Sequence, residues 1–236
     1  MPSPEYSTAA QIQTLFDRIA PSYDQLNHVL SLNLHHVWKG MTVQWAQPPL
    51  GGQVLDLCCG SGDLALQLAR CVGPRGQVWG LDFTPRMLAQ AQKRAQQLFP
   101  GHQISWQQGD ALDLPFADGQ FASVTMGYGL RNVMDIPRAL GEIWRVLQPG
   151  GWAAILDFQR SPDPLTQQLQ EFYFNKVVVP LADTLGLGSE YAYILPSLAQ
   201  FPTGEEQLQL AANTGFREQY FYSLYWKHMG VLVVRK

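Results

Sequence analysis

The feature that most constrains this 236-residue chain is a change of hydrophobic period at Gln53. Val54-Leu55-Asp56-Leu57 is an apolar run of strand length, and Cys59-Gly60-Ser61-Gly62 follows it directly. Leu64, Leu68 and Val72 then recur at helical spacing until Gly73-Pro74 stops the helix. The unit repeats. Residues 77–81 form a second strand closed by Asp82, and Thr84-Pro85 opens a helix with proline at its first position. Met87, Leu88, Ala91, Ala95 and Leu98 are expected to give that helix its buried stripe, and Ile104-Ser105-Trp106 is a third strand ended by Gly109-Asp110. Residues 121–126 are a fourth strand. Asp135 caps a helix carrying Ile136, Ala139, Leu140, Ile143, Trp144 and Leu147, and a turn at Gln148-Pro149-Gly150-Gly151 leads to a fifth strand at 152–158. Strands alternating with helices of this length make βαβ units, a parallel doubly wound sheet, and ligand sites beyond the carboxyl ends of the strands.

The ends of the chain depart from this rhythm. Ile12, Leu15, Phe16 and Ile19 share one helical face, Pro21 breaks that helix, and a second helical pattern runs over 22–45. Pro48-Pro49 and Gly51-Gly52 then mark a boundary, so residues 1–50 read as a helical lid and 51–236 as the main domain, with a helical cap over 163–202. Residues 218–225 and 230–235 look like strands with no helix between them. They must form a hairpin, which makes one sheet edge antiparallel and brings the strand count to seven.

A net charge of −3 argues against a protein that coats nucleic acid. Cys58, Cys59 and Cys71 are too few and wrongly spaced for a disulfide scaffold or a zinc site, so no metal is expected. No stretch approaches a membrane span, and the first residues lack the basic and apolar regions of a leader, which predicts a cytoplasmic location.

Four features fall at predicted strand ends: residues 56–62, Asp82, Asp110, and the run Gly127-Tyr128-Gly129-Leu130-Arg131-Asn132. Gly60 and Gly62 allow a ligand close to the backbone. Asp82, 20 residues after Gly62, suits a ribose diol, which fits either a dinucleotide or S-adenosylmethionine. A dinucleotide loop would have glycine where this chain has Ala65, and Asp56 and Asp63 would repel a pyrophosphate. A cationic ammonium and sulfonium would be favoured instead, and Asp110 suits an adenine amine. The residues therefore point to S-adenosylmethionine rather than a nicotinamide cofactor.

With these motifs in place the chain resembles class I methyltransferases, a Rossmann-like α/β fold. Within them it resembles the ubiquinone/menaquinone biosynthesis C-methyltransferase family over nearly its whole length. Tyr23-Asp24-Gln25-Leu26-Asn27 with Ser31, His35 and Trp38 is one signature, and Tyr128-Gly129-Leu130-Arg131-Asn132-Val133 continuing into Arg145-Val146-Leu147-Gln148-Pro149-Gly150-Gly151 is another. Leu156-Asp157-Phe158, Tyr191-Ala192-Tyr193 and Phe201-Pro202 also match. Leu26 stands where the family usually has Met and Gln148 where it has Lys, and Trp226-Lys227-His228 replaces a small, glycine-containing stretch. The Cys58-Cys59 loop resembles the branch acting on phytylated naphthoquinols in photosynthetic cells. The resemblance implies Ser61, Asp82, Phe83, Asp110, Ala111 and Gly127 as cofactor contacts, beside Asp56, Gly60 and Gly62. It implies a prenylated or phytylated quinol as substrate, with demethylmenaquinol or a benzoquinol as the other rings to consider.

Methylating a ring carbon requires a phenolate, an aligned methyl and a proton acceptor. Arg131 is the candidate for the phenolate, with a salt bridge to Asp135 or Glu142 as its plainer role, and Asn132 would orient the ring oxygen. If residues 23–38 are one helix, Tyr23, Asn27, Ser31, His35 and Trp38 share a face over the substrate. His35, Tyr23, Asp24 and Asp157 remain candidates for the base, and His35 could equally be a packed, hydrogen-bonded core histidine. The aromatic stretch Phe172, Tyr173, Phe174, Val177, Val178, Val179 and Leu181 reads as a wall for the substrate tail, a peripheral membrane edge, or a packed cap helix. Self-association could use the sheet edge or this cap. A nicotinamide-dependent reductase and a non-catalytic cofactor-binding partner are the readings of other classes.

Overall fold

The computed structural model describes residues 8–20, 28, 31, 33–101, 103–161, 163–184, 188–225 and 227–236. Helices α1 (Ala9–Ile19) and α2 (Leu34–Trp45) precede β1 (Gln53–Leu57). Then come α3 (Asp63–Val72), β2 (Gln77–Asp82), α4 (Pro85–Leu98), β3 (Gln103–Gln108), β4 (Phe121–Gly127), α5 (Ile136–Val146) and β5 (Leu147–Phe158). The cap holds α6 (Pro164–Tyr173), a π-helical turn (Phe174–Val178), α7 (Val179–Asp183), α8 (Gly188–Ala192) and α9 (Ile194–Gln200). Helix α10 (Gly204–Thr214) leads to β6 (Glu218–Leu224) and β7 (Met229–Arg235).

The seven strands lie in the order β3-β2-β1-β4-β5-β7-β6. The first five are parallel, and β7 runs antiparallel to both β5 and β6. The doubly wound sheet and its closing hairpin are thus as expected; the stripe of α4 is buried at Met87, Ala91 and Ala95, but Leu98, at the last turn, is exposed. Strand β7 is buried along nearly its whole length between two neighbours, which is why Val231-Leu232-Val233-Val234 is continuously apolar rather than alternating. The order reverses between β1 and β4, and the crevice opens there.

Two local expectations give way to backbone geometry. The turn at Gln148–Gly151 is an irregularity inside β5: Phe121 pairs with Leu147, and the next pair is Ser123 with Trp152. Gly150, at φ +80, lets the chain swing out, while its N–H and the Gly151 carbonyl pair with Lys236 at 3.0 and 3.1 Å. A single helix over 23–38 does not form either. Asn33 adopts a left-handed φ of 68° and α2 starts after it, so the five-residue stripe does not lie on one helix. Ser31 and His35 still meet, with 2.6 Å between Ser31 Oγ and His35 Nδ1. Tyr23, Asp24 and Asn27 lie outside the described residues.

The crevice is held from beneath. Asp56 is fully buried in β1; its Oδ2 accepts the Ala65 N–H in the first turn of α3, and its Oδ1 accepts the Thr125 hydroxyl on β4, both at 2.9 Å. Helix α2 adds a second tie through Asp63 at the start of α3, which lies 2.6 Å from both Lys39 Nζ and Arg94 Nη2. Burial opposes ionisation of Asp63, but the two cations outweigh it and hold the carboxyl well below its usual range.

Burial pushes the Asp56 carboxyl up to about 7. Between its ordinary pKa and this value the folded protein binds a proton that the unfolded chain has released, so the stability Asp56 contributes is lost as pH rises through that window. Asp56→Asn keeps a donor for Thr125 and an acceptor for Ala65. It should therefore gain stability relative to the parent as pH rises from about 5 to 8, whereas Asp56→Ala should cost about 1–3 kcal/mol by stranding both partners. Urea unfolding at several pH values measures both.

Candidate active site

The wall of the cleft at the switch point comes from four strand ends. Cys58 and Gly60 follow β1; Asp82 ends β2 and Phe83 follows it; Gly109, Asp110 and Ala111 follow β3; Gly127 ends β4 and the turn reaching Asn132 follows it. Asp82 Oδ2 accepts the Gly60 N–H at 2.8 Å and Oδ1 the Thr84 N–H at 2.9 Å, which fixes the carboxylate at the base of the glycine loop. Burial raises its pKa while these N–H groups oppose the rise. Gly60 has φ +53, and a Cβ there would meet nothing within 4 Å, so the loop leaves open space toward the cleft. The Asp110 carboxyl accepts the Leu112 N–H at 2.9 Å and stays exposed at the rim.

Asp56, Ser61 and Gly62 stand behind this wall, all three buried. The Ser61 carbonyl takes a hydrogen bond from Arg94 at 2.9 Å, and a Cβ on Gly62 would press on Trp106 at 2.9 Å. Cys58 (φ 54) and Tyr128 (φ 59) sit left-handed at the ends of β1 and β4, a conformation that costs about 1–3 kcal/mol in a non-glycine residue. Gly129 permits it, because a Cβ there would come within 2.6 Å of the Cys58 Cβ.

A second cavity, of about 240 Å³, adjoins the cleft and shares Phe16 and Tyr128 with it. Its lining is mostly apolar: Leu15 and Ile19 from α1, Trp38 from α2, Phe158, and Phe174 and Val178 from the cap. The polar groups are few. Arg131 is buried with Nε 3.4 Å from Asp157 Oδ1; its backbone N–H donates to Asp157 Oδ2 at 3.0 Å, and Nη1 donates to Ser197 Oγ. The partner is therefore Asp157, neither Asp135 nor Glu142. Asp135 caps α5 through the Arg138 N–H, and Glu142 is taken by Arg145 and the Leu114 N–H. Asn132, the next residue, faces the cleft; its Nδ2 donates to the Tyr128 carbonyl at 2.9 Å and its Oδ1 accepts the Tyr193 hydroxyl at 3.2 Å.

His35 is buried in the second cavity's wall, and burial followed by the nearby Lys39 lowers its pKa to about 4. It is neutral at physiological pH. The ligand atoms of His35, His36 and Asp63 lie within 4.8 Å of one another, but Asp63 is already matched by Lys39 and Arg94, and a cation there would face the Lys39 ammonium. Sequence reasoning did not assign roles to Tyr193, Ser197 or Lys39. Tyr193 lies in a motif noted only as a match, and Lys39 sits one helical turn beyond His35.

Among the described residues of the cleft wall there are two carboxylates, Asp82 and Asp110, and no basic side chain. That donor set fits a neutral or cationic ligand with a diol and disfavours a pyrophosphate.

The family model of the ubiE/COQ5 methyltransferase family matches residues 5–234. The 2-phytyl-1,4-naphtoquinone methyltransferase of Nostoc punctiforme is 54% identical over 96% of this chain and 98% of its own length. The chloroplastic 2-phytyl-1,4-beta-naphthoquinone methyltransferase of Arabidopsis thaliana is 47% identical over 94% of this chain and 86% of its own. Among solved structures, a SAM-dependent methyltransferase of Thermotoga maritima, a possible histamine N-methyltransferase, aligns with a TM-score of 0.68 at 20% identity, over 94% of this chain and 99% of that one. Its likeness is one of fold. The matched span and the identity to these full-length relatives establish that the chain belongs to the ubiE/COQ5 methyltransferase family.

Proposed function

We propose that this protein methylates a ring carbon of 2-phytyl-1,4-naphthoquinol with S-adenosylmethionine, the C-methylation that yields phylloquinol. The observation that carries this reading is the turn after β4, whose consecutive residues Arg131 and Asn132 face two adjoining chambers, one apolar and one acidic. S-adenosylmethionine supplies an electrophilic methyl on a sulfonium. Asp82 would hold the ribose diol, Phe83 and Ala111 would flank the adenine, Asp110 would take its amine, Gly60 leaves room for the ligand, and Gly127 would meet it from the end of β4. Asp56, Ser61 and Gly62 would shape the loop from behind.

The acceptor carbon gains a methyl and loses a proton, and it is nucleophilic only when an adjacent ring oxygen is ionised. The Arg131 guanidinium would stabilise that oxygen from the cavity wall. Asp157 balances the charge of the arginine and takes its backbone N–H. Asn132 would orient the ring or a bridging water. His35, neutral and buried, would accept the proton; Tyr23 and Asp24 are the other candidates from the N-terminal segment. Helix α1 and the segment to residue 50 would act as a lid that excludes water, with 51–236 as the catalytic domain. The phytylated ring is favoured by the names of the half-identical relatives and by the Cys58-Cys59 loop.

The substrate tail belongs in a bilayer, and no helix among the described residues is long and apolar enough to cross one. Helix α6 and its π-helical turn divide the labour by face. Phe174 and Val178 point into the apolar cavity, while Leu165, Leu169 and Phe172 are 64, 59 and 62% exposed. An exposed apolar row beside the cavity suits a transient, peripheral contact with the membrane that holds the quinone pool.

Transfer of labelled methyl from S-adenosylmethionine should mark chemically reduced 2-phytyl-1,4-naphthoquinol in preference to demethylmenaquinol and a benzoquinol, and should leave the oxidised quinones unlabelled. Labelling of the oxidised forms, or none at all with cofactor bound, would overturn the reading. Flotation with phosphatidylcholine liposomes should carry the protein upward, and the triple change of Leu165, Leu169 and Phe172 to Asp should abolish this while leaving the circular dichroism spectrum intact. Equal flotation of both would remove the membrane assignment.

A further inference from the structure

Two cap residues reach the turn that faces the chambers, although they lie 61 and 66 positions further along the chain. Tyr193 donates its hydroxyl to Asn132 Oδ1, and Ser197 Oγ accepts from Arg131 Nη1. The Arg131 guanidinium also lies 5.8 Å over the Tyr193 ring. Ser197 is itself anchored, since its hydroxyl lies 2.8 Å from the Ile194 carbonyl and 3.0 Å from the Tyr193 carbonyl. Both polar contacts therefore come from one short stretch of cap.

The same stretch presents hydrocarbon to the second cavity. Tyr191, Tyr193 and Ile194 line it, and Tyr191 and Ile194 pack with Phe174 and Val178 in one apolar cluster. A hydrocarbon chain lying in that cavity would rest on these side chains, and the backbone they belong to fixes Arg131 and Asn132. We infer that Tyr193 and Ser197 are positioning residues that couple occupancy of the apolar cavity by the substrate's isoprenoid tail to the alignment of the Arg131–Asn132 turn. This deepens the proposed function and rests on its assignment of a tailed quinol. The tail would then contribute to turnover as well as to binding, because its contacts are converted into alignment at the distant ring. Tyr193 and Ser197 touch neither reacting atom in this role.

The experiment has a kinetic arm and one that needs no chemistry. In the first, kcat and KM are measured for phytylated and tail-less 1,4-naphthoquinol with the parent, Tyr193→Phe and Ser197→Ala. The parent should show a higher kcat for the tailed quinol. Tyr193→Phe should cut that kcat about tenfold, the worth of one well-placed hydrogen bond. Its KM for the tailed quinol and its Kd for cofactor should stay within about threefold, with the ratio of tailed to tail-less kcat falling toward one. A loss that is equal for both substrates, leaving the ratio at the parental value, would mark a merely structural tyrosine and overturn the inference.

In the second arm, phytol alone is added and amide hydrogen exchange is followed at Arg131 and Asn132, whose N–H groups bond to Asp157 and to the Gly129 carbonyl. Phytol should slow exchange at these amides in the parent and not in a Tyr193→Phe/Ser197→Ala double variant. No response in the parent, or the same response in both proteins, would overturn the coupling even if the methylation reading fails. If methylation occurs while this arm shows no coupling, the inference falls alone.

Discussion

A buried carboxylate ties together the three pieces of backbone on which the site depends. Asp56 lies inside β1, yet its oxygens reach the first turn of α3 and the neighbouring strand β4. The glycine loop is the segment between the first two of these anchors, and the Arg131–Asn132 turn begins just beyond the third. Were Asp56 apolar, a buried N–H and a buried hydroxyl would lose their partners, and the crevice at the switch point would lose the brace that sets its width. Lys39 and Arg94 extend the brace outward by gripping Asp63, so the helix before β1 and the helix after β2 both bear on the same loop.

Strain is stored above this brace. Cys58 and Tyr128 both take left-handed backbone conformations at adjacent strand ends, and their side chains face the chambers. Such conformations persist only where the surroundings over-determine them, here through the buried sheet, the bare Gly129 and the Tyr128 N–H bond to the Leu156 carbonyl at 2.7 Å. The result is a difference in charge: two carboxylates, Asp82 and Asp110, stand among apolar side chains on one side, while the other is walled mostly by aromatic and aliphatic side chains and carries Arg131. A polar cofactor and a greasy ring need that division if they are to meet at one turn.

Much of this was legible because period and punctuation are local. The switch from a helical to a strand pattern at Gln53 and the acids at successive strand ends placed the cleft, and two strands too close for a crossover demanded the hairpin. What stayed hidden depended on register or on single backbone angles. Arg131 finds Asp157 because β4 and β5 pair with Gly127 opposite Leu156, a register that periodicity does not encode. Nearer acids, Asp135 and Glu142, were more plausible on spacing alone, but one caps a helix and the other serves Arg145. Asn33 tolerates a helix interior as well as the left-handed region, and it is its left-handed φ that separates Ser31 from the helix of His35. Likewise, Tyr193 and Asn132 lie on segments far apart in sequence, and only the packing of the cap onto the turn brings them together.

The proposed chemistry depends on the charge of Arg131, paired with Asp157, stabilising an ionised ring oxygen across the wall between the chambers. Its most direct test is single-turnover methyl transfer to the reduced phytylated quinol as a function of pH. It compares the parent with the double variant Arg131→Gln/Asp157→Asn, which removes both buried charges together. The double variant should show a rate about 10²–10³-fold lower near neutrality, the scale for one electrostatic stabiliser, with cofactor affinity preserved. The deficit should shrink as pH approaches the phenolic range near about 10, where the quinol ionises unaided. An undiminished rate, or a deficit that stays constant with pH, would contradict it.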